Sequence, residues 1–290
     1  MRKMPPKILI PLSIIAVLLL LTGNVSLWFN RAIFNRQNFS NLTVTAIQKP
    51  QTRDAIAAEI VDQVFKDVPL VKQVAGNSIE SVVSGLLNSD FIKPAIGTVA
   101  KGVNLIVTSP RPADVSIDLS SVKEFVGPVI QVFSQKFNID VTDFKLPNKL
   151  VLVEPGQIPS LYGLGKVFLW LGPFSWLFGI GLVVAMVWAV DKDRRNSVLK
   201  TIGTTLVTGS AILIFLTWML KSPFLASITN ENLLIIAGSI YGVFTGVLVQ
   251  QTFILLIIGA LIISSGYYLD SLLKLPSETK DYMEKRRKAA

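Results

Sequence analysis

Neither cysteine nor histidine occurs among the 290 residues. Their absence excludes disulfides, acylation of a lipoprotein cysteine, thiol nucleophiles, His–Ser or His–Cys catalysis, and zinc sites built from His or Cys. Charge is scarce too, at 16% of residues, and unevenly spread. The stretch 230–275 has no proline and only three charges, Glu231, Asp270 and Lys274. Apolar residues take their place. The chain is 51% hydrophobic with a mean hydropathy of +0.54, which fits a multi-span membrane protein rather than an ordinary globular one.

The net charge of +9 would point to nucleic acid if it were spread over a surface, but it is confined to short segments. Residues 1–7 carry +3, residues 191–200 carry +2 and the tail 274–290 carries +3, while 28–164 holds thirteen Lys/Arg against twelve Asp/Glu. Basic charge restricted to short segments beside apolar runs is the positive-inside pattern of membrane orientation. No nucleic-acid partner is expected.

The first span is expected at 8–29, ending at Trp28–Phe29 as an interfacial anchor. No small-x-small cleavage site follows Leu21, so it reads as an uncleaved signal anchor. Residues 30–164 are expected to form an extracytoplasmic, α-rich domain. Within it, 52–68 carries a stripe of Ile56, Ile60 and Val64 beside Ala57, Val61 and Phe65. Residues 70–87 carry Val71, Val74, Ile79, Val82, Val83 and Leu86; a third segment carries Phe91, Ala95, Ile96, Val99, Val103 and Ile106. Strict alternation over 114–119 predicts a strand, which 149–153 could pair with. Ser121-x-x-Glu124 is a capping box opening a helix through Phe137. Residues 165–290 form the membrane domain, with spans at 165–190 and 198–220 joined by a tight basic loop.

The stretch from 230 onward is about twice the ~20 residues that a single span needs. A hairpin would need a turn near Gln250-Gln251-Thr252, yet no glycine or proline lies between Val247 and Ile258. It would also place the basic tail outside, and its loop would leave backbone groups unpaired in hydrocarbon. One long helix is therefore expected, standing outside the membrane over 231–249 and spanning at 252–272, with Gln250 and Gln251 at the outer interface. Leu233, Ile236, Ile240, Val243 and Val247 would then need cover from the outer domain.

Few side chains suggest chemistry. Asp114, Ser116 and Asp118 share a face of the first strand and could begin a calcium site, but no glycine-turned loop or terminal glutamate follows them. Asp140, Asp143 and Glu154 could make a carboxylate pair, though carboxylates in polar loops are mostly solvated surface. No catalytic residue, metal ligand or cofactor site is assigned. The residues singled out are for helix packing. Gly238, Gly242 and Gly246 form G-x-x-x-G-x-x-x-G, a face that admits a close helix. Thr201, Thr204 and Thr208, with Thr205, share a face of the third span, where hydroxyls can join helices or bond the preceding turn.

The order of features resembles an uncharacterised family of bacterial integral membrane proteins, abundant in actinobacteria. The likeness rests on Asn35-Arg-Gln-Asn-Phe39, Ala57-Ala-Glu-Ile-Val-Asp62, Leu87-Asn-Ser-Asp-Phe91, Ile117-Asp-Leu119 and the turn from Trp188 to Arg194. A histidine that members often carry in the third outer helix is missing here. The resemblance implies architecture and leaves activity open.

Together these readings predict an all-α membrane protein with four transmembrane helices, plus an α-rich extracytoplasmic domain with a small two-stranded β element. The expected role is non-enzymatic: an envelope protein in the bacterial cytoplasmic membrane whose region 30–164 binds or organises a protein, lipid or cell-wall partner. A channel or permease component and a membrane-bound enzyme acting at the outer leaflet are the alternatives.

Overall fold

A computed structural model of the chain describes residues 6–64, 69–90, 92–110, 115–118, 149–153, 161–191 and 194–289. Four helices in it are long and apolar enough to cross a membrane, over Ile8–Phe34, Tyr162–Ala189, Arg195–Leu225 and Glu231–Tyr268. This makes the chain a multi-pass membrane protein. The elements in order are α1 (Pro6–Phe29), a π-helical turn (Asn30–Phe34), α2 (Arg36–Ile47), α3 (Pro50–Val64), α4 (Pro69–Asn88) and α5 (Ile92–Thr108). Strands β1 (Val115–Asp118) and β2 (Lys149–Val153) follow, then α6 (Tyr162–Ala189), α7 (Arg195–Met219), α8 (Lys221–Leu225) and α9 (Glu231–Ala289). β1 and β2 pair antiparallel, with Ile117 opposite Leu150 and an irregularity between Val115 and Ser116. The helix expected from Ser121 to Phe137 lies outside the described residues.

Glycines fix how the long helices stack. Gly165, Gly172, Gly179 and Gly23 hold α1 and α6 together antiparallel: Gly165 meets Phe34, Gly172 meets Ser26, Gly179 meets Leu20, and Gly23 meets Trp176. α7 and α9 approach more closely. A Cβ on Gly203 would stand 2.7 Å from the Gly259 carbonyl oxygen and 2.9 Å from the Ile263 nitrogen. One on Gly266 would stand 3.0 Å from the Asn196 carbonyl oxygen. With no hydrophobic drive between helices in lipid, such backbone proximity supplies the dispersion contacts that join them. Ala16 of α1, Met186 of α6, Val190 just past its end, and Val198 and Ile202 of α7 form one buried core, and Val17, Leu20 and Leu206 form a second.

α9 is unbroken from Glu231, as the missing turn residues near 250 required. Its depth differs from expectation. The Tyr241 hydroxyl donates to the Thr217 carbonyl at one end of α7, and Gly266 lies on Asn196 at the other. The part of α9 beside α7 is thus 241–266. α7 remains apolar and exposed out to Trp218 and Leu220. Gln250 and Gln251 therefore fall inside the bundle's length, not at its rim, and only the turns before Tyr241 extend past α7. The sequence could not give this because depth follows from lateral register, which a periodicity does not carry.

Beyond the C-terminal end of α1 the chain turns without leaving α9. Asn35 breaks the helix and caps α2, its side chain accepting from the Asn38 N–H at 2.9 Å. α2 then runs antiparallel to α9. The Phe39 and Phe244 rings lie 5.2 Å apart and the Ser239 hydroxyl donates to the Ala46 carbonyl at 3.2 Å. α3 reaches the tip, where the Asn230 amide donates to Glu59 at 3.1 Å. α5 packs on α2 and α4 on α3.

The buried faces of these shorter helices follow the aliphatic stripes only in part: Ile79 and Ile106 are buried as expected, while Ile60 and Val82 are exposed. In α3, Thr52, Ala55, Ala57 and Val61 are buried while Ile60 is 40% exposed. In α5 the buried residues are Gly97, Ala100, Asn104 and Ile106. Small residues let helix axes come close, so larger side chains are pushed to the flanks. Of the residues expected to be covered on α9, Leu233 is 45% exposed, whereas Ile236, Ile240, Val243 and Val247 are half-buried.

Two substitutions separate these contacts from open surface. Gly203→Leu forces α7 off α9 and is expected to destabilise the bundle by about 1–3 kcal/mol. Gly242→Leu, where an added Cβ meets nothing within 4 Å among the described residues, should cost far less than Gly203→Leu. Unfolding of the purified full chain in mixed micelles measures both, and equal losses would contradict the register described above.

Candidate functional site

Two polar features stand out. The first lies inside the bundle where α1, α7 and α9 meet. Asn24 is 3% exposed, and its amide donates to the Thr252 hydroxyl at 3.0 Å. Thr252 is fully buried and donates in turn to the Leu248 carbonyl at 2.7 Å. The Gly203–Gly259 contact places Ser210 of α7 at the level of Thr252, and its hydroxyl is buried with no partner among the described residues. The Gln251 side-chain oxygen is likewise buried without a donor. A polar group left unpaired in hydrocarbon is costly, so bonded pairs here specify which helix faces which.

The second feature is a groove of about 540 Å³ between α2 and α5, on the helical cluster beyond the spans. Gln37, Asn41 and Thr45 line one wall and Lys93, Thr98 and Lys101 the other. Its floor is fixed where the Ser40 hydroxyl donates to the Gly97 carbonyl at 2.9 Å. A Cβ at Gly97 would stand 3.1 Å from that hydroxyl, so glycine is what lets α5 sit low enough to make the bond. Within one wall, Gln37 donates to Asn41 at 3.0 Å and the Thr45 hydroxyl donates to the Asn41 carbonyl at 2.8 Å. At the rim Lys93 pairs with Asp90. The hydrogen bond and then the charge of Lys93 hold the Asp90 carboxyl below its ordinary range. Amides, hydroxyls and ammonium groups on a fixed frame can hydrogen-bond a polar or anionic group.

The packing residues expected from sequence fare differently. A Cβ added at Gly238 would meet the Leu225 side chain at 3.5 Å, and one added at Gly242 or Gly246 would meet nothing within 4 Å among the described residues. The expectation of a helix docked on that glycine face is corrected: α2 and α3 approach α9 on other faces, and the close-approach glycines are Gly203, Gly259 and Gly266. Thr204 and Thr208 are exposed, so neither joins helices within the chain. Thr201 donates to the Ser197 carbonyl at 2.9 Å, and Thr205 to Thr201 at 2.8 Å, the bond to the preceding turn. Asp114, Asp140, Asp143 and Glu154 lie outside the described residues, as do the side chains of Ser116 and Asp118. Among the described residues no group of His, Cys, Asp or Glu could hold a metal ion.

The sequence offered little sign of either feature. Asn24 reads as one amide at the end of an apolar run, and Ser40 and Gly97 lie 57 residues apart. Comparison with family models, with characterised proteins and with solved structures returned no match.

If the Asn24–Thr252 bond specifies helix pairing, Thr252→Val strands the Asn24 amide and lowers stability by about 0.6–1.7 kcal/mol. A double-mutant cycle with Asn24→Leu should return a coupling of that size. Additive losses would show that the two side chains act independently.

Proposed function

We propose that the chain is a non-enzymatic protein of the bacterial cytoplasmic membrane, with both termini cytoplasmic, whose outer helical region binds or organises a protein, lipid or cell-wall partner. The α2–α5 groove carries this reading. It is polar, framed by bonded helices, and lies on a cluster fastened to a membrane-spanning helix by the Ser239–Ala46 and Asn230–Glu59 bonds. Its lysines favour an anionic partner, such as an acidic glycan or an acidic protein segment. Orientation is supported by where the basic segments fall. α1 begins, α6 ends, α7 begins and α9 ends on one side of the bundle, and the excess charge of 1–7, 191–200 and 274–290 belongs to those ends.

Since the chain has no cysteine, single thiols report on topology without background. An impermeant maleimide applied to intact cells should label Ser78→Cys and Ser227→Cys and spare Ser197→Cys and Ser277→Cys; label at the latter pair would reverse the orientation. Photocrosslinkers at Asn41 and Thr98 should capture one recurrent partner, and Lys93→Glu with Lys101→Glu should reduce that capture several-fold. Undiminished capture would remove the groove from the proposal.

The buried row of Asn24, Thr252 and Ser210 supports a second reading, as part of a permeation path. It requires ion or solute flux through liposomes containing the purified protein, changed by Ser210→Leu. Liposomes no leakier than empty ones would end it.

A further inference from the structure

A second groove, of about 490 Å³, runs along the seam between α1 and α6. Its walls are built from Gly23, Leu27 and Asn30 on one helix and Leu169, Pro173 and Trp176 on the other, and it continues up to Phe34 and Asn35. Leu169 is 58% exposed, so the groove opens sideways to whatever surrounds the bundle. Between two membrane-spanning helices that medium is lipid.

The chemistry of the groove is graded along its length. Its lower part, at Gly23 and Trp176, is apolar. Its upper part begins at the π-helical turn, a local distortion often found at functional sites. There the Asn30 amide nitrogen donates to the Phe168 carbonyl at 3.1 Å, a carbonyl that the Ser26 hydroxyl also bonds. The other half of the amide, Asn30 Oδ1, is buried and has no partner among the described residues. Pro173 has no N–H, so the Leu169 carbonyl lacks its helical donor as well. The Asn30 acceptor on the groove thus lacks a donor among the described residues, and buried acceptors normally find one. At the level of this mouth Arg31, Arg36 and Lys166 are all exposed. From Gly23 to Asn35 is about 18 Å of helix at ~1.5 Å per residue, close to the ~15 Å depth of one leaflet's hydrocarbon.

We propose that this groove holds one anionic glycerophospholipid of the phosphatidylglycerol type, from the leaflet on the α2–α5 side. A head-group hydroxyl donates to Asn30 Oδ1, the phosphate lies among Arg31, Arg36 and Lys166, and an acyl chain runs down past Pro173 to Trp176. The inference rests on the membrane-spanning reading but not on the α2–α5 groove or its partner.

The test uses the full chain, delipidated in mild detergent and titrated with phosphatidylglycerol or phosphatidylcholine under native mass spectrometry. One phosphatidylglycerol per chain should be retained about tenfold more tightly than phosphatidylcholine. Leu169→Trp, on the exposed wall, should abolish retention with the melting temperature unchanged. Lys166→Gln, outside the core, should weaken it about fivefold. Equal retention of the two lipids, or full retention by both variants, overturns the proposal. A photoreactive residue at position 169 in native membranes distinguishes the occupants. An adduct of phospholipid mass supports the lipid, while an adduct to another polypeptide means that the groove takes a helix instead.

Discussion

The approach of α7 to α9 at Gly203 and Gly259 is the contact on which the rest of the arrangement depends. In water, burial of apolar side chains would press the helices together. In lipid that force is absent, and the gain comes from atoms brought within dispersion range. Backbones separated by less than the width of a side chain make the most of it, and only glycine permits that. Once Gly259 is against Gly203, the register of α9 is set, and with it the meeting of Asn24 with Thr252 and of Trp28 with the Phe244 carbonyl at 2.8 Å.

That register also decides what is built outside the spans. α9 passes the end of α7 and offers its next turns as a surface on which α2 and α3 are laid. The helices lean on it through small residues and a few directed bonds. The cluster is fastened to the spans in two ways: α2 follows α1 after a single break at Asn35, and both helices run along α9. A groove on such a cluster keeps its orientation relative to the spans.

The two grooves differ in ways that follow from their surroundings. The one between α2 and α5 is lined by amides, hydroxyls and ammonium groups, which suits a partner arriving from water. The one between α1 and α6 is apolar over most of its length and polar only at its mouth, matching the gradient of a single leaflet. Both are made possible by a glycine opposite a serine, Gly97 with Ser40 and Gly172 with Ser26.

The amino-acid sequence by itself determined the class, the number of apolar helices and the continuity of α9. Each of these rests on a local rule: span length, charge segregation, or the lack of any residue able to turn the chain near Gln250. Tertiary structure decided which residues matter within that class. Gly242 and Gly246 have the stronger motif yet leave an added Cβ in open space among the described residues, while Gly203, Gly259 and Gly266 carry the contact without forming a recognised pattern on either helix. Likewise Ile60 stands on the clearer stripe and is exposed, while Ala57 beside it is buried. A glycine or an alanine is the same in every sequence, and its worth depends on which neighbour lies across from it. That is a property of register between helices distant in the chain, and no periodicity along one helix contains it.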